Sequence, residues 1–159
     1  MGVAFLSEHP PWVDMLAAWH HAEWGHLYDD WTLASARAEL ATHARGGAFP
    51  TTLVWHDDGD LRGSVSLVEE DAPALRERGG PWLASLFVTP AARGRGLGAA
   101  LVRAAVAQAA RTGQARLCLF TPEHADFYRR LGWRSYDRAV LRGTPVELMA
   151  IDPSAAGAA

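Results

Sequence analysis

The chain has 159 residues, 49% of them hydrophobic and 21% charged, with a net charge of -3 at pH 7. Those values are ordinary for one globular domain with an adequate core, and the mildly acidic balance argues against a general nucleic-acid binder. A single cysteine, Cys118, excludes an internal disulfide and a cysteine-rich metal site, and no run reaches the ~18 apolar residues a membrane span requires. A cytoplasmic protein is expected, because no basic region precedes an apolar stretch at the N-terminus.

Val3 to Leu6 has the pattern of a short strand. Ser7 suits the cap of a following helix, with Pro10 or Pro11 in its first turn. Trp12, Met15, Leu16 and Trp19 fall at i, i+3, i+4 and i+7, one face of a helix. Trp24, Leu27, Tyr28 and Trp31 repeat that spacing one residue out of phase, so a bend, or a second short helix, is expected near Glu23 to Gly25. Thr32 opens another helical pattern through Leu33, Ala36, Leu40 and His43, ended by Gly46-Gly47. Thr51 to Trp55 and Leu61 to Val68 read as a β-hairpin around Asp57-Asp58-Gly59-Asp60.

Glu69 to Gly80 is a polar loop, and Trp82 to Val88 is apolar on both faces, as in a central strand. A helix is expected from Leu97 to Thr112-Gly113, then a strand from Arg116 to Phe120. Cys118 lies in that strand as a packing thiol. Thr121 and Pro122 are suited to cap and open the next helix, which Gly132 ends. Trp133 to Leu141 and Pro145 to Ile151 make a last hairpin around Arg142-Gly143. This order predicts a three-layer α/β fold, a mixed central sheet with helices on both faces. Residues 1–152 are expected to form one domain, and the small-residue-rich stretch 153–159 an unordered tail.

The stretch Arg93-Gly94-Arg95-Gly96-Leu97-Gly98 joins the apolar strand to a helix N-terminus. The first amides of a helix have no partner within it, and the dipole adds positive charge there. Glycines admit a phosphate to the backbone, and arginines can bind its oxygens in pairs. A phosphorylated ligand is expected, pyrophosphate above all. Gly94-x-Gly96-x-x-Ala99 also fits a relaxed dinucleotide fingerprint. That motif wants an acidic residue at the end of the next strand, where this chain has Thr121-Pro122.

Arg93-x-x-Gly96-x-Gly98 after a strand resembles the acetyl-CoA-binding turn of the GNAT superfamily of N-acetyltransferases. Downstream, Phe127-Tyr128-x-x-x-Gly132-Trp133 resembles that family's FY-x-x-x-GF segment. The likeness spans Trp82 to Tyr136. It implies a GNAT-like fold in which strands Trp82–Val88 and Arg116–Phe120 are parallel and splayed. It also implies acetyl-CoA as cosubstrate, its pantetheine arm along the backbone of Leu86, Phe87 and Val88. The pyrophosphate would lie on Arg93, Gly94, Arg95, Gly96, Leu97, Gly98 and Ala99. Phe127 would sit beside the cofactor, although Phe127 and Leu131, at i and i+4, are more simply core.

Acetyl transfer needs a polarised thioester, a deprotonated amine and a proton for the leaving thiolate. Tyr128 matches the family's usual acid, and a phenol titrates near 10. Some relatives carry a glutamate on the strand matching Trp82–Val88, but that strand has no acid or histidine here. The base is therefore open among Glu69 and Asp71, which share a face if the preceding strand continues, and Glu23. His20 and His21 point to different helix faces, so no metal site is expected. In the family, acceptor choice depends on the first helices and on the loop before the central strand. Glu23, Trp24 and Trp82 are the candidate acceptor contacts there, and acids beside aromatics favour a cationic amine. The expected enzyme is a monomer or homodimer acting on a primary amine of a small molecule or peptide. A non-catalytic acyl-CoA sensor and a dinucleotide-binding module are the alternatives.

Overall fold

The structure is a computed structural model that describes residues 2–157. Seven strands make one mixed sheet: β1 (Gly2–Phe5), β2 (Thr51–Asp57), β3 (Asp60–Val68), β4 (Trp82–Val88), β5 (Leu117–Thr121), β6 (Arg134–Leu141) and β7 (Thr144–Ile151). Their order is β1-β2-β3-β4-β5-β7-β6. β1 and β2 are antiparallel, as are β5 with β7 and β7 with β6. β4 and β5 pair in parallel, with Trp82 opposite Cys118. Helices α1 (Trp12–Trp24), α2 (Leu33–His43), α3 (Leu97–Arg111), α4 (Ala125–Arg130) and α5 (Pro153–Gly157) complete the chain. The mixed sheet with flanking helices is the expected fold class. Helix α5 occupies part of the stretch expected to be unordered, and the last two residues of that stretch lie outside the described residues.

The chain divides into two compact units. One runs to Ser66 and includes Ser85–Val102; the other holds Leu67–Ala84 and the residues from Arg103 on. In the first, Leu6, Val13, Leu16, Ala17, Ala36, Leu40, Val54 and Leu61 form the core. The inward face of α1 is thus Val13, Leu16, Ala17 and His20, shifted from the expected tryptophan stripe. Met15 is 46% exposed, and Trp12 and Trp19 only lean on the core edge. The expected cap Ser7 lies in a single 3-10 turn, and α1 starts after Pro11 with no side-chain cap. Thr32 does cap α2, accepting a bond from Ser35 N at 3.0 Å.

The second unit is centred on Leu75, Trp82, Cys118, Val146 and Leu148. Cys118 is fully buried there, as a packing thiol should be. Burying side chains of this size stabilises the fold by about 1.5–3 kcal/mol each before the entropy of ordering is counted.

Candidate active site

β4 ends at Val88, Pro90–Ala92 make one 3-10 turn, and α3 begins at Leu97. Gly94 and Gly96 both have φ of +80°, and a Cβ at either would meet no atom within 4 Å. Conformation, not crowding, demands glycine there, and the empty space is available to a ligand. The first bond into α3 closes from Ala100 N to Gly96 O at 3.1 Å. The amides of Leu97, Gly98 and Ala99 therefore have no partner within the helix. No acidic residue in the first turn offsets the positive end of the helix dipole.

Arg93 has a second role that the motif does not announce. Its Nε donates to Val88 O at 2.9 Å, and its guanidinium lies 6.0 Å from the centre of the Phe87 ring. The side chain fastens the turn to the strand end, while Arg95 stays exposed. Upstream, Ser85 has φ of 56° inside β4. A left-handed L-residue costs roughly 1–2 kcal/mol, and within a strand it turns the next peptide units off the regular ladder. Burial follows that kink: Ala84 is buried, Ser85 exposed, Leu86 half-buried and Phe87 buried again. On β3, a Cβ at Gly63 would stand 2.7 Å from Phe87 O, so the two strands approach closely at that point.

Three rings of α1 surround the Phe87 side chain: Trp19, His20 and Trp24, with centroids 5.9, 6.1 and 6.1 Å away. His20 is 4% exposed, and its Nε2 lies 2.9 Å from Ser64 Oγ. Burial, then the nearby charge of His43, pushes its pKa down to about 4. His43 Nδ1 lies 2.9 Å from Thr52 Oγ1, itself 2.8 Å from Ser66 Oγ, and burial brings this ring to about 4 as well. Both imidazoles are neutral at pH 7 and pin helices to β2 and β3. The sequence signal for His20 was its place four residues after buried Leu16. Trp24 is half-buried at the end of α1 within the Phe87 cluster, and Glu23, its neighbour in sequence, is exposed.

In the other unit, β3 stops at Val68, so Glu69 and Asp71 lie beyond the strand and its alternation does not align them. Glu69 is exposed and Asp71 half-buried. Trp82 is 1% exposed and packs on Phe120 with centroids 6.3 Å apart. It is a core residue, which removes the reason for assigning it to the acceptor. Tyr128 sits on α4 and meets the rings of Phe127 and Trp133 edge to face, with centroids 5.0 and 5.9 Å away. Helix α4 begins at Ala125, later than Pro122, and Thr121 Oγ1 accepts from His124 N at 3.0 Å just before it. Burial raises the Tyr128 pKa to about 12. The phenol therefore holds its proton across the physiological range, yet it is a weaker acid than the free side chain.

The fold is thus an α/β protein in which a kinked strand leads through a glycine turn to a helix N-terminus with no acidic residue in its first turn. The family described as the acetyltransferase (GNAT) domain matches residues 49–135, more than half of the chain. The chain belongs to that family and is an acetyltransferase. No curated protein matches it. Solved structures share its fold. An aminoglycoside 6'-N-acetyltransferase complexed with coenzyme A aligns with a TM-score of 0.77 at 17% identity, over 96% of this chain and 97% of the other. YncA from Salmonella typhimurium, with its cofactor acetyl-CoA, aligns at 0.69 and 17%, over 95% and 92%. A spermidine N-acetyltransferase chimera involving Vibrio cholerae aligns at 0.73 and 14%, over all of both chains.

Proposed function

We propose that the chain moves an acetyl group from acetyl-CoA directly to a primary amine of a small molecule or peptide. The observation that carries this reading is the open N-terminus of α3, preceded by two left-handed glycines in a turn that Arg93 fastens to the end of β4. A pyrophosphate at residues 93–99 uses remote binding energy to position the reacting carbonyl. Backbone amides after the Ser85 kink, at Leu86, Phe87 and Val88, are the donors assigned to the thioester arm and its oxygen.

The neutral amine attacks the thioester carbon, and the C–S bond breaks as the C–N bond forms. The amine proton passes to water or to one of Glu23, Glu69 and Asp71. Tyr128 gives its phenolic proton to the departing sulfur and is reprotonated from solvent. With the phenol at about 12 and a free thiol near about 8.5, complete transfer is uphill. The Tyr128 bond to sulfur matters most as charge builds late in bond breaking. The acceptor is assigned to the Trp19, Trp24 and Phe87 rings, with exposed Glu23 preceding Trp24 in α1, a setting that suits a cationic or aromatic amine. Aminoglycosides and spermidine, the acceptors named for the structural neighbours, are amines of that kind and belong in the test panel.

The test is thiol release and acceptor mass across polyamines, aminoglycosides, arylalkylamines and short peptides. The chain contains arginine but no lysine, so its own side-chain amines add no background. Turnover by wild type, with a kcat roughly ten- to a hundredfold lower in Tyr128→Phe at unchanged acetyl-CoA affinity, supports the reading. Acetyl-CoA binding with no turnover of any amine points instead to an acyl-CoA sensor. A melting temperature raised by NAD and not by acetyl-CoA removes the cosubstrate assignment.

A further inference from the structure

We propose that Arg129 is a positioning residue for the transfer, holding α4 to the sheet so that the neighbouring Tyr128 phenol keeps its place. The inference rests on the reading of Tyr128 as the proton donor. Helix α4 has six residues and no side-chain cap on its first turn. A helix so short does not persist alone, since isolated helices need about 12–15 residues. Something outside it must fix its pitch and roll.

Apolar packing on Phe127 and Trp133 buries the Tyr128 ring. Such contacts are non-directional and leave room for the helix to rock. Arg129 supplies direction. Its guanidinium reaches Asp126 Oδ1 at 2.6 Å, Glu147 Oε2 at 2.8 Å and Ser135 Oγ at 3.2 Å. Ser135 Oγ also donates to the same Glu147 oxygen, closing a ring of three side chains from α4, β6 and β7. Glu147 stands opposite Thr121 in the β5–β7 pairing, and Thr121 Oγ1 holds the chain just before α4. One sheet position thus anchors both ends of the helix, through Thr121 at its start and through Glu147 near its end. The bonds are charge-assisted and the fork of arginine makes their geometry specific. Arg129 and Asp126 are 46% and 89% exposed, where ion pairs add little to global stability. The network is therefore placed to govern orientation more than folding.

The experiment compares wild type with Arg129→Met, Arg129→Lys, Glu147→Gln, Tyr128→Phe and the Arg129→Met/Tyr128→Phe double variant. Melting temperature, acetyl-CoA Kd, and kcat and KM for one good amine are measured. Each is repeated with acyl thioesters whose leaving thiols differ in acidity. Arg129→Met is expected to lower kcat about five- to fiftyfold with acetyl-CoA Kd within about twofold, the scale of a small misplacement. Arg129→Lys and Glu147→Gln should fall between. The deficit should shrink as the leaving thiol becomes more acidic, as it does for Tyr128→Phe. The double variant should be no slower than Tyr128→Phe, because one function cannot be lost twice.

A wild-type kcat in Arg129→Met beside a slow Tyr128→Phe overturns the proposal. So does a deficit that multiplies in the double variant or ignores the leaving group. A Tyr128→Phe enzyme at full speed instead removes the donor reading on which the proposal rests. If Arg129→Met does not fold, Arg129→Lys and Glu147→Gln, normalised to folded protein, decide by the same leaving-group criterion.

Discussion

Acid should destabilise this protein well above the range in which carboxylates titrate, and His20 and His43 are the reason. Both rings are held neutral by burial, with folded pKa values of about 4 against 6.5 when free. Lowered values in the folded state mean that the unfolded chain binds protons first as pH falls. The stability is complete above pH 6.5 and is lost progressively down to about 4. One pH unit below the free value costs about 1.4 kcal/mol per ring. At pH 5.5 the pair should therefore cost about 2–3 kcal/mol, which for a chain of this length lowers Tm by roughly 5–10 °C. Urea unfolding followed by tryptophan fluorescence at pH 7.5 and 5.5 measures the difference. In a His20→Gln/His43→Asn variant, chosen to preserve the Nε2 and Nδ1 bonding positions, most of the pH dependence in that window should vanish. A wild-type midpoint that does not move between the two pH values refutes the reasoning. So does a double variant that loses as much stability as wild type.

Gly96→Asp should fold at a cost of roughly 1–2 kcal/mol for its left-handed φ of +80°, because the space around it is open and a carboxylate at a helix N-terminus is favourable. It should nonetheless raise the acetyl-CoA Kd by about tenfold or more through repulsion of the pyrophosphate, read by calorimetry. Gly63→Ala places a methyl 2.7 Å from Phe87 O and should cost about 1–3 kcal/mol in urea unfolding. Trp24→Ala should raise the amine KM while leaving acetyl-CoA Kd unchanged in a fluorescence titration. At limiting amine the rate should rise with pH as the ammonium loses its proton, and the profile should shift when Glu23→Gln, Glu69→Gln or Asp71→Asn removes the base.

Local chemistry made much of this molecule legible in one dimension. Strand β4 announces itself by an apolar run with both faces filled, and the turn at 93–98 by glycines that alone tolerate the +80° found at Gly94 and Gly96. The hairpins, the Thr32 cap and the sheet class follow from the same short-range rules. Tyr128 could be singled out because it stands at a fixed place inside the second motif, Phe127-Tyr128-x-x-x-Gly132.

Tertiary structure decided what depends on partners distant in sequence. Periodicity assigned the tryptophans of α1 to its core face, but the buried positions are Val13, Leu16, Ala17 and His20, while Trp12 meets His9 and His56 and Trp19 and Trp24 meet Phe87. The sequence offers His20 only as a metal ligand to be weighed beside His21, and the partner of its ring, Ser64, lies far along the chain. Trp82 was a plausible acceptor contact until Phe120 and Cys118 closed over it. The acidity of Tyr128 was also invisible beforehand, because a phenol's pKa answers to the water around it and not to its neighbours in sequence. Burial and desolvation are sums over the whole fold, so no window of residues contains them. Turn conformation and helix-end polarity are properties of a few consecutive peptides, and those the sequence determined by itself.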